Sequence, residues 1–291
     1  MAPSLSSPLT PRRARKIKTN KTELLKFDPK TVAEQLAVYE FGLYVEITPQ
    51  QCLTYVKTRT ANGVAKLREF CSTHDKLGAW VKMSILNGEA AGERSYIVDF
   101  WIKVAEACLF YIQTFQSEYS VVMQRCRAIN NISSMSAIIT ALSSTVITAL
   151  QLTWAHTSRK PALDALLRHS EPTGGFAGYR ILLQQTEGPC VPFITMFLTE
   201  MAHIQDQFTE ADGRISFHRR TRWYETITAM LRFQSRPYYI TADESTINFI
   251  QSYLREGSCC DPGWFWKRSQ ETQKAEVMHA DITKSLERAG F

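Results

Sequence analysis

The chain holds 291 residues, 44% of them apolar, with a formal net charge of +6. That length buries one large core or two small ones, and the composition is that of an ordinary globular chain, which excludes a disordered body. The charge sits in residues 1–22, where Arg12, Arg13, Arg15, Lys16, Lys18 and Lys21 occur with no acid; without these six, the 34 basic residues fall to the 28 of the acids and the body is neutral.

Residues 1–22, rich in Ser, Pro and basic side chains, have almost nothing to bury and are expected to be disordered. A solvated linker fits this composition. So does a segment drawn to anionic lipid, at roughly 1 kcal/mol per basic residue near the surface. Phosphorylation at Ser7-Pro8 or Thr10-Pro11 would weaken that attraction. No nucleic-acid partner is expected.

Beyond the tail, helical periodicity dominates and no run alternates as a strand. Helices are predicted over about 30–46, 49–59, 62–72, 76–87, 94–127, 133–142, 145–155, 161–169, 176–186, 193–204, 217–234 and 243–254, with Gly and Pro mainly between them. No internal repeat is visible, so one all-α domain is expected over 23–291. Cys71 and His74 have the spacing of half a metal site, with no second pair to complete it. Residues 128–155 carry no charge, enough for a membrane span by length. Asn130, Asn131, Gln151 and many Ser and Thr make the stretch too polar for a lipid-facing helix. Ser143-Ser144-Thr145 also offers a break, so two buried helices are expected there.

Ser158 can cap a helix that has Pro161 in its first turn and Leu163, Leu166 and Leu167 at helical spacing. Pro172 to Gly175 stops it, and 176–185 forms a second helix, giving an αα-hairpin over 157–187. A packed helix pair and a projecting hairpin satisfy these leucines equally. Gly188 to Met201, GPCVPFITMFLTEM, is the most distinctive stretch. Pro189 and Pro192 lack amide donors and fix φ. A stiff extended run therefore leads into a helix with Ile194, Met196, Phe197, Leu198, Met201 and Ile204, crowded enough to be buried on most sides.

The seven cysteines show no metal-type pairing, and most lie in apolar helical surroundings where a free thiol acts as a small hydrophobe. With no signal peptide in view, a reduced, cytoplasmic compartment is expected. No Gly-rich phosphate loop, nucleophile elbow or metal cluster is visible, which disfavours a hydrolytic or redox enzyme. Neither cofactor nor metal is expected.

Pro-Cys-Val-Pro-Phe at 189–193, with Leu198 and Met201 beyond it, resembles the signature of the catalytic domain of Ras-family guanine-nucleotide exchange factors. Glu200 stands where that signature has Asp or Asn. Leu36–Leu53, Trp80-Val81 with Ile85-Leu86, and Cys126–Trp154 resemble further segments of the family. Ile215-Ser216-Phe217, Arg219-Arg220, Phe233-Gln234 and Pro237-Tyr238 resemble the segment after the signature. All follow in the family's order, so the resemblance covers roughly 27–273. Ile132 replaces a Phe, and Ala149 a common Arg. The larger departure is residues 109–126, which separate Cys108 from the Asn-Asn segment. These eighteen residues make about five helical turns and would displace the next helix by roughly 27 Å if continuous. They are expected to bulge from the core, or to represent a retained intron.

The resemblance implies an exchange factor for a Ras-like or Rap-like small GTPase, with a protruding helical hairpin and no covalent chemistry. Such a GTPase holds nucleotide at about picomolar affinity, roughly 16 kcal/mol. The factor prefers the nucleotide-free form and by linkage weakens nucleotide binding by the same factor. One surface grips the second switch of the GTPase. The hairpin displaces the first, an apolar and an acidic residue disturbing the Mg²⁺ and phosphate sites. On the 157–187 hairpin the candidates are Leu163 and Leu167 as the wedge and Asp164 as the carboxylate. Leu77, Trp80, Ser84 and Asn131 fall at the gripping surface, with core packing the alternative for Trp80 and helix capping for Asn131. Trp154 and Pro189, Cys190, Val191, Pro192 and Phe193 would support the hairpin's base. The alternative is a non-catalytic GTPase-binding module that keeps the fold, to which Glu200, Ile132, Ala149 and the 109–126 segment lend weight. A cytoplasmic protein recruited to the inner membrane surface by its basic tail is expected. The family's usual helical module before the catalytic domain is not recognised, so a fragment or an unbraced hairpin is expected.

Overall fold

The computed structural model describes residues 23–58, 62–109, 129–169, 173–207 and 215–288. Among them are thirteen α-helices and no strand beyond one isolated bridge. They are α1 (Pro29–Tyr44), α2 (Pro49–Lys57), α3 (Ala65–Leu86), α4 (Ala91–Leu109), α5 (Ile132–Leu142), α6 (Thr145–Thr148) and α7 (Gln151–His156). There follow α8 (Lys160–Leu167), α9 (Thr173–Gln185), α10 (Thr195–Gln207), α11 (Phe217–Leu231), α12 (Glu244–Gly257) and α13 (Pro262–Arg288). The basic tail lies outside the described residues.

Local chemistry starts the helices. Asp28 and Thr48 each accept a backbone N–H three residues on, directly before Pro29 and Pro49, which need no donor at that place. Asp243 caps α12 through Ser245 N. The core forms around α3, which packs on α1, α4, α5 and α12. Its Trp80 meets the ring of Trp101 edge-on at 4.8 Å. α12 ends hard against the same place: a Cβ on Gly257 would lie 2.8 Å from Trp80 N, so only glycine permits this approach.

Two expected helices, 62–72 and 76–87, are one continuous α3, because the polar run Ser72–Asp75 contains no breaker: Thr73 is buried with its hydroxyl donating to Glu69 O, and only Asp75 of the four is exposed. The expected helix over 145–155 is two short ones, α6 and α7, separated at Ala149–Leu150. α13 escaped the periodicity because its buried face, Phe265, Ser269, Thr272 and Glu276, is largely polar. Glu276 there pairs with Arg94 Nη2 at 2.7 Å, both side chains buried. Its carboxylate also accepts the N–H groups of Leu152 and Thr153 at the start of α7. Residues 110–128 fall outside the described residues, but their flanks meet: Asn131 N donates to Cys108 O at 2.9 Å. No helix among the described residues is long and apolar enough to cross a membrane.

Candidate functional site

The Pro-Cys-Val-Pro segment is joined to the Asn-Asn segment sixty residues before it. Asn130 takes a left-handed φ of 46°, which asparagine tolerates better than most residues. Its carbonyl accepts Val191 N at 3.2 Å, and its side-chain amide donates to Pro189 O at 3.2 Å. Val191 O in turn accepts Ile132 N and Ser133 N, two of the unpaired donors at the start of α5. Asn131 supplies the cap, accepting Ser134 N at 3.0 Å. Pro189 and Pro192 have no N–H to give, and the segment's donor to this junction is Val191 N. Behind it Ser134 Oγ donates to Glu40 Oε2 at 2.9 Å. Burial pushes the Glu40 carboxyl up to about 7, against the lowering effect of hydrogen bonds from Asn131 and Ser134.

α9 is fastened to the same segment. Tyr179 Oη accepts Phe193 N at 2.7 Å and donates to Phe193 O at 3.2 Å. Arg232 donates to Leu183 O and Arg236 to Glu187 O, so the chain after α11 holds the end of α9. The Phe193 ring lies 4.9 Å from that of His74, which burial keeps below the usual histidine pKa. Beside them a cleft of about 420 Å³ opens between α2, α3 and α10. Tyr55, Val56, Leu198 and Ala202 give it apolar walls, and Asp75 and Thr199 stand at it as polar groups. Cys71 also lines it, its thiol pushed up to about 11 by burial. No group of three or more metal-ligating side chains occurs among the described residues.

α10 and α11 run side by side, with Trp223 Nε1 donating to Met201 O at 3.1 Å. α10 also packs on α2. On the outer edge of α10, Thr199, His203 and Asp206 are exposed. The burial expected for this helix is therefore one-sided.

The 157–187 pair is placed differently from the expectation of a free hairpin. α8 packs on α4 and α5, with Leu163 only 4% exposed and Leu166 buried beside it. Leu163, Asp164 and Leu167 do come together with Trp154, lining a hollow of about 380 Å³ with Leu142. Asp164 is exposed and Leu167 half-buried. Leu163 cannot serve as a wedge in this conformation, because its side chain fills the body. Trp154 is half-buried and donates its indole N–H to Ile147 O. Ser158 does not cap α8. Its N–H and hydroxyl both donate to Asp99 of α4, as does Arg159 N. Arg159 also pairs with Glu106 about two turns further along α4, at 2.5 Å. Asp99 and Glu106 were missed by sequence reasoning, since half-buried acids on a long helix carry no local sign of a distant partner.

The gripping-surface candidates are corrected in the same way. Leu77, Trp80 and Asn131 have no exposed surface, so they can support a partner surface without touching it. Ser84 is half-buried, its hydroxyl donating to Val81 O and accepting Trp101 Nε1. The signal that marked these residues was motif position, which does not separate a supporting residue from a contacting one.

The family model of the RasGEF domain matches residues 31–221. Guanine nucleotide-releasing factor 2 of Drosophila melanogaster is 26% identical over 236 residues, covering 80% of this chain and 14% of that protein. Cell division control protein 25 of Saccharomyces cerevisiae is 28% identical over 244 residues, 80% of this chain and 14% of its own length. Rap guanine nucleotide exchange factor 1 of Homo sapiens is 24% identical over 247 residues, 84% of this chain and 21% of that protein. The chain thus spans about a seventh to a fifth of the length of these relatives.

Proposed function

The chain belongs to the RasGEF domain family, and on that premise we propose that it promotes GDP release from a Ras-like or Rap-like small GTPase. It does so by differential binding, without covalent chemistry. It holds the nucleotide-free GTPase more tightly than the loaded form, and linkage weakens the nucleotide by the same factor. The cell's nucleotide ratio then sets the direction.

One observation carries the assignment of parts: the cleft of about 420 Å³ lies directly beside α10, whose outer edge is exposed while its inner face is anchored. The cleft takes the GTPase's second switch against Tyr55, Val56, Leu198 and Ala202. The α10–α11 pair acts as the hairpin that moves the first switch aside, in place of the 157–187 pair. On α10, Ala202 and Asp206 stand one turn apart, an apolar residue and an acid. Asp206 is the carboxylate that competes with phosphate for Mg²⁺ and repels the nucleotide.

The test is release of a fluorescent GDP analogue from Ras and Rap proteins under excess unlabelled nucleotide. Acceleration that rises with the concentration of this chain is expected. No acceleration, with intact binding to the nucleotide-free GTPase, would establish instead a non-catalytic binding module. Recruitment of the basic tail to anionic membrane is a separate element of the proposal, tested by co-sedimentation with anionic against neutral vesicles.

A further inference from the structure

Glu200 stands where the family signature carries Asp or Asn, and its surroundings give the longer side chain a use. Its Oε2 accepts a hydrogen bond from Arg180 Nη2 of α9 at 3.0 Å. Its Oε1 lies 3.7 Å from Arg222 Nη2 of α11. Each carboxylate oxygen therefore faces a different helix, and α9, α10 and α11 meet at one side chain.

We infer that Glu200 is a positioning residue that fixes the direction of α10 and so the placement of Asp206 against the partner. This rests on the exchange reading above. α9 already holds the start of α10 through Tyr179 and Phe193, and one attachment leaves a pivot. Arg180, the next residue of α9, reaches Glu200 about two turns further along α10, and two attachments define a direction. From the other side, α11 contributes Arg222 to Glu200 and Trp223 to Met201, again consecutive residues meeting consecutive residues. Asp206 lies six positions beyond Glu200, about 9 Å along the axis, so any tilt at Glu200 is carried to it. An Asp at 200 would be one methylene shorter, which draws its oxygens back from both arginines.

The arginine side chains are 44% and 48% exposed and that of Glu200 is 23% exposed. Pairs so open to water add little to folding stability. That separation makes the role measurable, since a loss of positioning is not expected to bring a loss of fold.

The experiment measures GDP-analogue release by the full chain at varied GTPase concentration, together with thermal unfolding. Glu200→Gln is expected to lower the maximal rate roughly three- to tenfold with KM within about twofold, and to leave the unfolding midpoint in place. Glu200→Asp is expected to fall between Gln and wild type. Arg180→Gln and Arg222→Gln are each expected to slow release, and to cause little further loss when combined with Glu200→Gln. Wild-type rates for Glu200→Gln would overturn the inference. So would a loss confined to KM, which would make Glu200 a direct contact, or a fall in the unfolding midpoint that accounts for the lost rate. A wild-type chain without exchange activity overturns the exchange reading itself, and the positioning role with it.

Discussion

Asn131 N donates to Cys108 O at 2.9 Å, so the two ends of a twenty-odd-residue excursion are directly bonded. The helix that would have been displaced by a continuous insertion is in fact seated on the end of α4. Both flanks are packed into the core, with Cys108 and Ile132 fully buried.

Deleting residues 110–126 is therefore expected to leave the fold intact. Closing the shorter loop changes the entropy of closure by only about 1–1.5 kcal/mol. Circular dichroism and the thermal midpoint of the deletion variant check this. An unfolded product would mean that the excursion contributes contacts the core requires. Sequencing the mature transcript separately decides whether these residues come from a retained intron.

Glu40 should give the protein a pH-dependent stability. Its carboxyl is buried and raised from an ordinary value of 4.5 to about 7. Below pH 4.5 the group is protonated in both the folded and unfolded states and adds no penalty. Between about 4.5 and 7 the unfolded state releases its proton while the folded state keeps it, so stability falls as pH rises, then levels off above 7. The fall attributable to Glu40 is at most about 3 kcal/mol. Denaturant unfolding of wild type and Glu40→Gln from pH 4 to 8 should show the slope in the first and its loss in the second. Parallel profiles would remove Glu40 as the cause.

Arg94 and Glu276 tie the last helix to the body. Breaking a buried pair on one side strands the other charge, at a cost of about 3–5 kcal/mol. Glu276→Ala also leaves Leu152 N and Thr153 N without their acceptor. A clear drop in unfolding free energy is expected for Glu276→Ala, and a smaller one for the double variant Arg94→Met with Glu276→Leu. Equal losses in the two would mean that the stranded charge is not the main cost.

Leu163 and Asp206 separate the two candidate hairpins. Leu163→Ala removes a side chain from the body and is expected to destabilise the protein by about 2–5 kcal/mol. At a temperature where that variant is folded, its maximal exchange rate should stay near wild type. Asp206→Asn is expected to leave stability unchanged and slow GDP release on the order of tenfold. The reverse pattern would return the displacing role to the 157–187 pair.

Much of the fold could be read from residues. The positions of α1, α2 and α12 follow from caps, prolines and apolar spacing, that of α8 from Pro161 and its leucines alone, and the Pro-Cys-Val-Pro-Phe run marked the segment around which the site is built. α13 buries Ser269, Thr272 and Glu276, so hydrophobic periodicity had nothing to detect. Leu163 and Leu167 carried the pattern of an apolar helix face, and nothing in that pattern distinguishes a face offered to a partner from one pressed onto α4 and α5. Asp99 and Glu106 became visible only once Ser158 and Arg159 lay beside them.

The amino-acid sequence by itself determined the all-α class, most helix boundaries, the stiff approach to α10 and the family. Those features are set within one or two turns, by missing amide donors, capping oxygens and the 3.6-residue repeat. Tertiary structure alone decided that Val191 closes the start of α5, that Glu200 reaches two arginines on different helices, and that α10 keeps an exposed edge beside a cleft. Each of these depends on groups brought together across tens of residues, where burial and pairing are properties of the assembled surfaces and leave no local trace in the chain.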